Sequence, residues 1–418
     1  MTMALKKDET VVALKAFEAM LLTRYMDDKC FKLSRQNKGG TFQLSVAGHE
    51  LVGVVAAHSL IPGKDWGLPY YRDRGFALGI GSSLTDLLGA FLARAVPHHS
   101  GGRMMPEHFV HKELRMPCQS SCVGSQFLQA AGVAKGVQLL GHDDVVYVSG
   151  GDGATSQGDF HEALNFSCIH NLGVIFVIQD NGWAISVPQK EQTAGGGTIA
   201  PIARGYAGAA VFEVDGCDYE ETSQAFKEAV HKARSGKGPS VIVAKVPRMG
   251  PHSNSDDPLK YREKGCIDSE RSKDPIPRME EWLLKQGHAT SDELEAMKKS
   301  AFERIEAAAQ EAEQIPFPDK STADTKVFAD TPEIPLVEPK VTGESIVMVD
   351  ALNHALDEEM ERDPHVVVFG EDVAHGKGGV FGVTRHLTAK YGADRCFNTP
   401  LAESTVIGIA LGMSVTGI

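Results

Sequence analysis

Asp152, inside Gly150-Gly151-Asp152-Gly153, and Asn181, just after an apolar run, are the residues whose types and spacing point first to chemistry. A carboxylate, an amide oxygen and a loop carbonyl form the oxygen-rich set that magnesium takes when it also holds phosphate oxygens. The glycines suit the same task, because residues without a side chain let backbone N–H groups close on an anion at a helix N-terminus. A dinucleotide turn is the rival, and two details oppose it. Gly158 comes too late for G-x-G-x-x-G, and Asp152 would repel a bare diphosphate. A divalent cation between the two removes that repulsion, so the stretch predicts a magnesium diphosphate site. The plain alternative is a βαβ unit that merely turns on glycines.

The elements needed to bring these residues together are legible around them. Val145–Ser149 and Val174–Ile178 are short apolar runs of the kind that become parallel strands buried on both faces. Asp159–His170 between them has helical spacing. Parallel strands joined by a helix put their carboxyl ends on one edge of a sheet, which makes Asp152 and Asn181 neighbours.

G-D-G followed by about thirty residues and a D-N pair resembles the thiamin diphosphate motif. The fuller text, G-D-G-A, E-A-L-N-F and A-I-S, resembles the α subunit of 2-oxo acid dehydrogenases, the decarboxylating component. The resemblance implies that Asp152, Asn181 and the backbone oxygen of Trp183 hold the metal. It also puts Gly151, Gly153, Ala154, Val123 and Ile185 against the cofactor. The implied fold is α/β: a thiamin diphosphate-binding fold with a doubly wound parallel sheet and helices on both faces.

Composition bounds the alternatives. A net charge of −13 gives no reason to expect nucleic acid or an anionic membrane as partner. Seven cysteines, odd in number and scattered, suit a reducing compartment, so a cytoplasmic protein is expected. No run approaches a membrane span.

Along the chain, Thr10–Leu33 reads as an amphipathic helix, and Gly48-His49-Glu50 opens another. Tyr70-Tyr71-Arg72-Asp73-Arg74 follows. The resemblance assigns Tyr71 and Arg72 to the diphosphate, a role that a guanidinium fork fits; the dull alternative is a surface ion pair. His98, His99, His108 and His111 match neither one helix face nor a zinc-finger spacing, and are read as ordinary loop residues. Ser120-Ser121-Cys122-Val123-Gly124-Ser125-Gln126 resembles a segment of branched-chain 2-oxo acid dehydrogenase α subunits that touches the cofactor and holds potassium. Ser121, Ser125 and Gln126 would supply the oxygens, with Cys122 where the family usually has Pro. Helix capping is the alternative for these serines.

Ala209–Val214 and Val241–Lys245 read as further buried strands around a helix at Tyr219–Ala233. The loop Arg248–Asp257 resembles the family's G-H-H-S-x-S-D-D, which implies that His252 contacts the diphosphate near the substrate; a satisfied loop histidine is the default it competes with. Met279–Gln314 is helical, with Gly287 ending one helix and Thr290-Ser291-Asp292-Glu293 boxing the start of the next. Five of the twenty prolines fall in Ile315–Pro339, which marks a linker.

Beyond it, a helix at Ile346–Arg362, a strand at Val366–Phe369, F-G-E-D-V, G-G-V-F and P-L-A-E resemble the opening of the β subunit of the same enzymes. The expected division is an α-type domain over 1–314, a linker over 315–341 and the N-terminal part of a β-type pyrimidine-binding domain over 342–418. Glu403 is the implied catalytic partner of the aminopyrimidine ring. Among Leu401, Ala402 and Val406 it is expected to be partly desolvated, with a raised pKa; capping the next helix is its plain role. The chain is expected to stop before that domain is complete and to lack activity alone.

The implied activity is oxidative decarboxylation of a branched-chain 2-oxo acid, with acyl transfer to a lipoyl-bearing partner and assembly as a homo-oligomer or with a β-type chain. A pyruvate or acetoin dehydrogenase component, or a cofactor-binding chain without activity, are the alternatives.

Overall fold

The computed structural model describes residues 3–40, 42–328 and 343–418. The chain divides into two compact units, Met1–Phe317 with Gly408–Thr416, and Pro318–Ile407 with Gly417–Ile418.

The first unit is built on a parallel sheet of β1 (Trp66–Leu68), β2 (Val146–Gly151), β3 (Val174–Asp180), β4 (Ala210–Asp215) and β5 (Ser240–Lys245), in the order β1-β2-β3-β5-β4. All seven residues of β3 are buried, the expected fate of an unbroken apolar run in a parallel sheet covered on both faces. Ring contacts identify the covers. Tyr147 stacks on Phe76 of the helix α3 (Arg74–Ile80), with centroids 4.2 Å apart. Phe176, one residue beyond Tyr147's partner Ile175 and so on the opposite face, lies among Phe127 of α5 (Ser125–Leu139) and Phe160 of α6 (Gly158–Ile169). The doubly wound α/β arrangement expected from the sequence is therefore present.

Helices α1 (Met3–Arg35), α2 (Glu50–Ser59) and α4 (Leu84–Phe91) extend the core on the Tyr147 side, with α7 (Tyr219–Arg234), α8 (Pro275–Gln286) and α9 (Ser291–Gln314). Gly287 ends α8 at φ +68°, and Thr290 and Glu293 form the reciprocal cap of α9, both as read from the sequence. Helix α8 starts earlier than Met279, because Asp274 caps it and Pro275 fits its first position. A short 3₁₀ turn, Asp152–Ser156, separates β2 from α6, whose start at Gly158 lies one residue before the helix read at Asp159. Gln157 is extended (ψ 140°), so the α-helix starts only at Gly158.

In the second unit, α10 (Met348–Arg362) precedes two parallel strands, β6 (Val368–Gly370) and β7 (Cys396–Asn398), around a small core of Met360, Ala374, Leu387 and Cys396. Residues 329–342, which include the second part of the expected linker, lie outside the described residues. Among the described residues no helix is long and apolar enough to cross a membrane.

Candidate cofactor site

The register of β2 on β3 pairs Gly151 with Gln179, so the two strands end side by side and deliver Asp152 and Asn181 to the same edge. Packing explains two of the glycines. A Cβ on Gly150 would lie 2.7 Å from the ring of Phe127, and one on Gly153 would lie 2.6 Å from Ala184. After Asn181, Gly182 turns at φ +77°, and Trp183–Ala184 pairs back on Val187–Pro188. Ile185 at the tip has φ +57°, a strained value for a β-branched side chain of the kind that collects at functional sites.

A cavity of about 380 Å³ opens at this edge. Of the residues singled out in the sequence, Tyr71, Arg72, Ser121, Val123, Gly151, Asp152, Gly153, Ala154, Asn181, Trp183, Ile185 and His252 line it. The potassium candidates divide: Ser121 and Gln126 line the cavity, whereas Ser125 donates to the carbonyl of Cys122. Ser121 meets His108 Nε2 at 2.7 Å, and Gln126 donates to the carbonyl of Ser149. The α5 cap is Gly124 at φ +89°, so no serine caps that helix.

The electrostatics of the site are unusual for an interior. Asp152 is only 2% exposed, and neither carboxylate oxygen has a hydrogen-bond partner. The backbone amides of Asp152 and Asn181 polarise it without reaching hydrogen-bond geometry. Burial, reinforced by Asp180, pushes its pKa up to about 7. An orphaned buried carboxylate beside a second one is stable only with a proton or a cation, so the donor set fits a divalent metal. Asn181 Oδ1 accepts from the amide of Trp183, and its Nδ2 is directed at His49, which leaves the oxygen on the loop side.

Positive charge gathers elsewhere in the site. Arg72 is buried, donates to the carbonyls of Ser45 and His252, and has no carboxylate partner among the described residues. The expected alternative, a surface ion pair, is thereby excluded for Arg72. His252 Nδ1 lies 3.4 Å from Arg72 Nη2, and burial, Arg72 and Arg248 lower its pKa to about 4. A neutral ring accepting from Arg72 at Nδ1 keeps a proton on Nε2 to donate.

Sequence reasoning missed several of these neighbours. Arg248 is buried, with Nε and Nη1 unpaired and its pKa lowered to about 10 by burial and by Arg262. Its place just after a strand end was the available signal. His49 is buried, bonded through Nδ1 to Gln179 at 2.8 Å, and Tyr70 joins the same pair through its hydroxyl. Nothing in the local text announced that network. Behind it Asp73 accepts from Tyr147, Ser149 and Gln179, and burial raises its pKa to about 6.

Glu403 requires a correction. It begins the helix α11 (Glu403–Ser414), but it is exposed and Leu401 is 85% exposed, so the apolar surroundings expected to desolvate it are absent among the described residues. Apolar residues that are near in sequence do not by themselves bury a carboxylate that projects from a helix start.

Comparison with known proteins agrees with the geometry. Residues 17–321 match the family described as dehydrogenase E1 component, and residues 344–418 match the transketolase pyrimidine binding domain. The chain is similar to the 2-oxoisovalerate dehydrogenase subunit alpha of Bacillus subtilis (strain 168), with 37% identity over 318 residues, 76% of this chain and 95% of the relative. It is also similar to the 3-methyl-2-oxobutanoate dehydrogenase subunit alpha of Mycobacterium tuberculosis (36% over 275 residues, 65% and 70% of the two chains). The pyruvate dehydrogenase E1 component subunit alpha of Staphylococcus epidermidis is 36% identical over 309 residues, 73% and 79% of the two chains. The protein thus belongs to the dehydrogenase E1 component family, thiamin diphosphate-dependent oxidoreductases that decarboxylate 2-oxo acids.

Proposed function

We propose that the chain acts on a branched-chain 2-oxo acid such as 3-methyl-2-oxobutanoate and binds thiamin diphosphate through Mg²⁺. Asp152, Asn181 and the Trp183 carbonyl would hold the metal, and Arg72 and His252 the diphosphate. The observation that carries this is the pairing, around one cavity, of a buried carboxylate without partners and a buried guanidinium without a counter-charge. Each is costly alone, and a magnesium diphosphate supplies what both lack.

The cofactor supplies the electron sink for loss of CO₂. The chain's own residues orient and charge the site. Neutral His252 can donate from Nε2 at pH 7, and the planar Arg72 guanidinium presents a fork that matches two phosphate oxygens. Tyr70, His49 and Gln179 brace the wall beside Asn181. Potassium at Ser121, Ser125 and Gln126 belongs to the same reading, with the Gln126 amide already fixed by Ser149.

Glu403 would serve the pyrimidine ring once covered by another chain or copy. Val380, Phe381 and Ile407, each more than 70% exposed in the second unit, support such an assembly. The domain division proposed is 1–314, 315–341 and 342–418, the acyl acceptor is a lipoyl-bearing acyltransferase, and the compartment is the cytoplasm, which suits seven free cysteines. Relatives named for pyruvate keep pyruvate as the second reading.

The test is decarboxylation with an artificial electron acceptor and a β-type partner supplied. A kcat/KM for 3-methyl-2-oxobutanoate at least about tenfold above that for pyruvate is expected, a difference that pocket shape alone can supply. A preference for pyruvate overturns the substrate, and activity without thiamin diphosphate overturns the site.

A further inference from the structure

We propose that His98, His111 and Glu113 form a second metal site, separate from the cofactor cavity and suited to zinc or a similar divalent transition-metal ion. The histidine spacing alone reads as ordinary loop, and Glu113 does not stand out beside it: His98 follows α4, whereas His111 opens and Glu113 lies within a turn closed by the bridge between His111 and Met116. The fold brings one nitrogen from each histidine and one Glu113 oxygen within 4.8 Å of one another.

The spacing matches coordination more closely than an ordinary ion pair requires. Two ligand atoms, each about 2.1 Å from a tetrahedral zinc ion, lie about 3.4 Å apart. Glu113 Oε2 is 3.5 Å from His98 Nδ1 and 3.2 Å from His111 Nδ1. His111 Nδ1 is buried, yet makes no hydrogen bond of acceptable geometry. Among the described residues Glu113 pairs with no Lys or Arg, so its charge is available to a cation.

Two imidazoles and one carboxylate are a zinc set that leaves a fourth position for water. Imidazole also suits nickel, cobalt and copper, so the set alone does not choose among them. The surrounding cavity of about 460 Å³ is lined in addition by His99, Met104 and Cys118, further donors of the soft and borderline kind. At present the two rings stack 3.9 Å apart and 11° from parallel. Coordination requires them to tilt until their lone pairs converge, and His98, with a third of its side chain exposed, has room to do so.

An ion here would tie the chain after α4 to the His111–Met116 turn. That turn runs between Glu107-His108 and Gln119–Val123, two stretches that line the cofactor cavity. The role is structural: a clamp on the wall of the cofactor site.

The experiment is titration of the chelator-treated chain with Zn²⁺ by calorimetry and with Co²⁺ by visible absorption, in excess Mg²⁺ and thiamin diphosphate to occupy the Asp152 site. One tight equivalent and the strong absorption of four-coordinate Co²⁺ are expected. His98→Ala/His111→Ala should lose more than about a hundredfold in affinity, since outer-shell changes alone cost about 10–100-fold. Glu113→Gln, at an exposed position that spares folding, should lose at least about tenfold. His142→Ala, an exposed histidine elsewhere, should match the wild type. No stoichiometric binding by the wild type, or binding unchanged in both site variants, overturns the proposal.

Discussion

Asp152→Asn should make the cofactor-free chain more stable while destroying Mg²⁺-dependent binding of thiamin diphosphate. The folded-state pKa of Asp152 is raised, by burial and then by Asp180, to about 7, against about 3.9 unfolded. Between those values the folded chain binds more protons than the unfolded one, so stability falls as pH rises and the loss is complete above the folded pKa. Three units at about 1.4 kcal/mol each give about 4 kcal/mol, and local relaxation brings the expected figure to about 2–4 kcal/mol. Asparagine has nearly the same volume and does not ionise. At pH 8 its melting temperature should exceed the wild type's by roughly 4–8 °C, and at pH 5, about one unit above the unfolded pKa, the gap should be less than half as large. Saturating Mg²⁺ and thiamin diphosphate should raise the wild type alone, by about 2.7 kcal/mol at a hundred times Kd. Thermal melts from pH 5 to 8.5 and calorimetry with and without Mg²⁺ make the measurement. An asparagine variant that melts below the wild type at pH 8, or that keeps its affinity within about threefold, would refute the reasoning.

Three other substitutions probe the same edge. Arg72→Ala should weaken cofactor binding by about 1.5–3 kcal/mol, the range for a charged hydrogen bond, and leave the cofactor-free melt almost unmoved, because removing a buried charge without a counter-ion offsets the two carbonyl bonds lost; a large drop in that melt with normal affinity would point to a structural role. Gly153→Ala places a Cβ about 2.6 Å from Ala184, so a cost of about 1–3 kcal/mol in stability and weaker Mg²⁺ affinity are expected, read by melting and calorimetry. Ile185→Gly should relieve about 1 kcal/mol of backbone strain, raise the melting temperature and lower kcat, whereas a fall in both would mean that the isoleucine side chain contributes more than the strain costs.

The fold was legible where periodicity and burial agree. The runs at Val145 and Val174 became β2 and β3, and the cap at Thr290 was readable because a capping box is a local contract between residues three apart. The 3₁₀ turn at Asp152–Ser156 was not, since it depends on Gln157 adopting an extended conformation that glycine-rich text neither requires nor forbids. Strand β1 is three residues long and carries no pattern that distinguishes it from a loop.

At the site, strand ends were informative and long-range partners were not. Asp152, Asn181 and His252 each sit at or just beyond a strand's carboxyl end, where a parallel sheet collects its ligands, and that rule needs no knowledge of the rest of the chain. His49 comes from a helix start, and its neighbour Gln179 lies 130 residues away, so their hydrogen bond is a product of the assembled core. The same reasoning separates Asp152 from Glu403. Glu403 was the carboxylate expected to be desolvated, but Asp152 is the one enclosed, by the sheet that carries it, whereas Glu403 starts a helix in a unit with a small core and stays in water. Burial comes from layers packed on top of a residue, and apolar neighbours in sequence supply it only when the fold turns them toward the same interior.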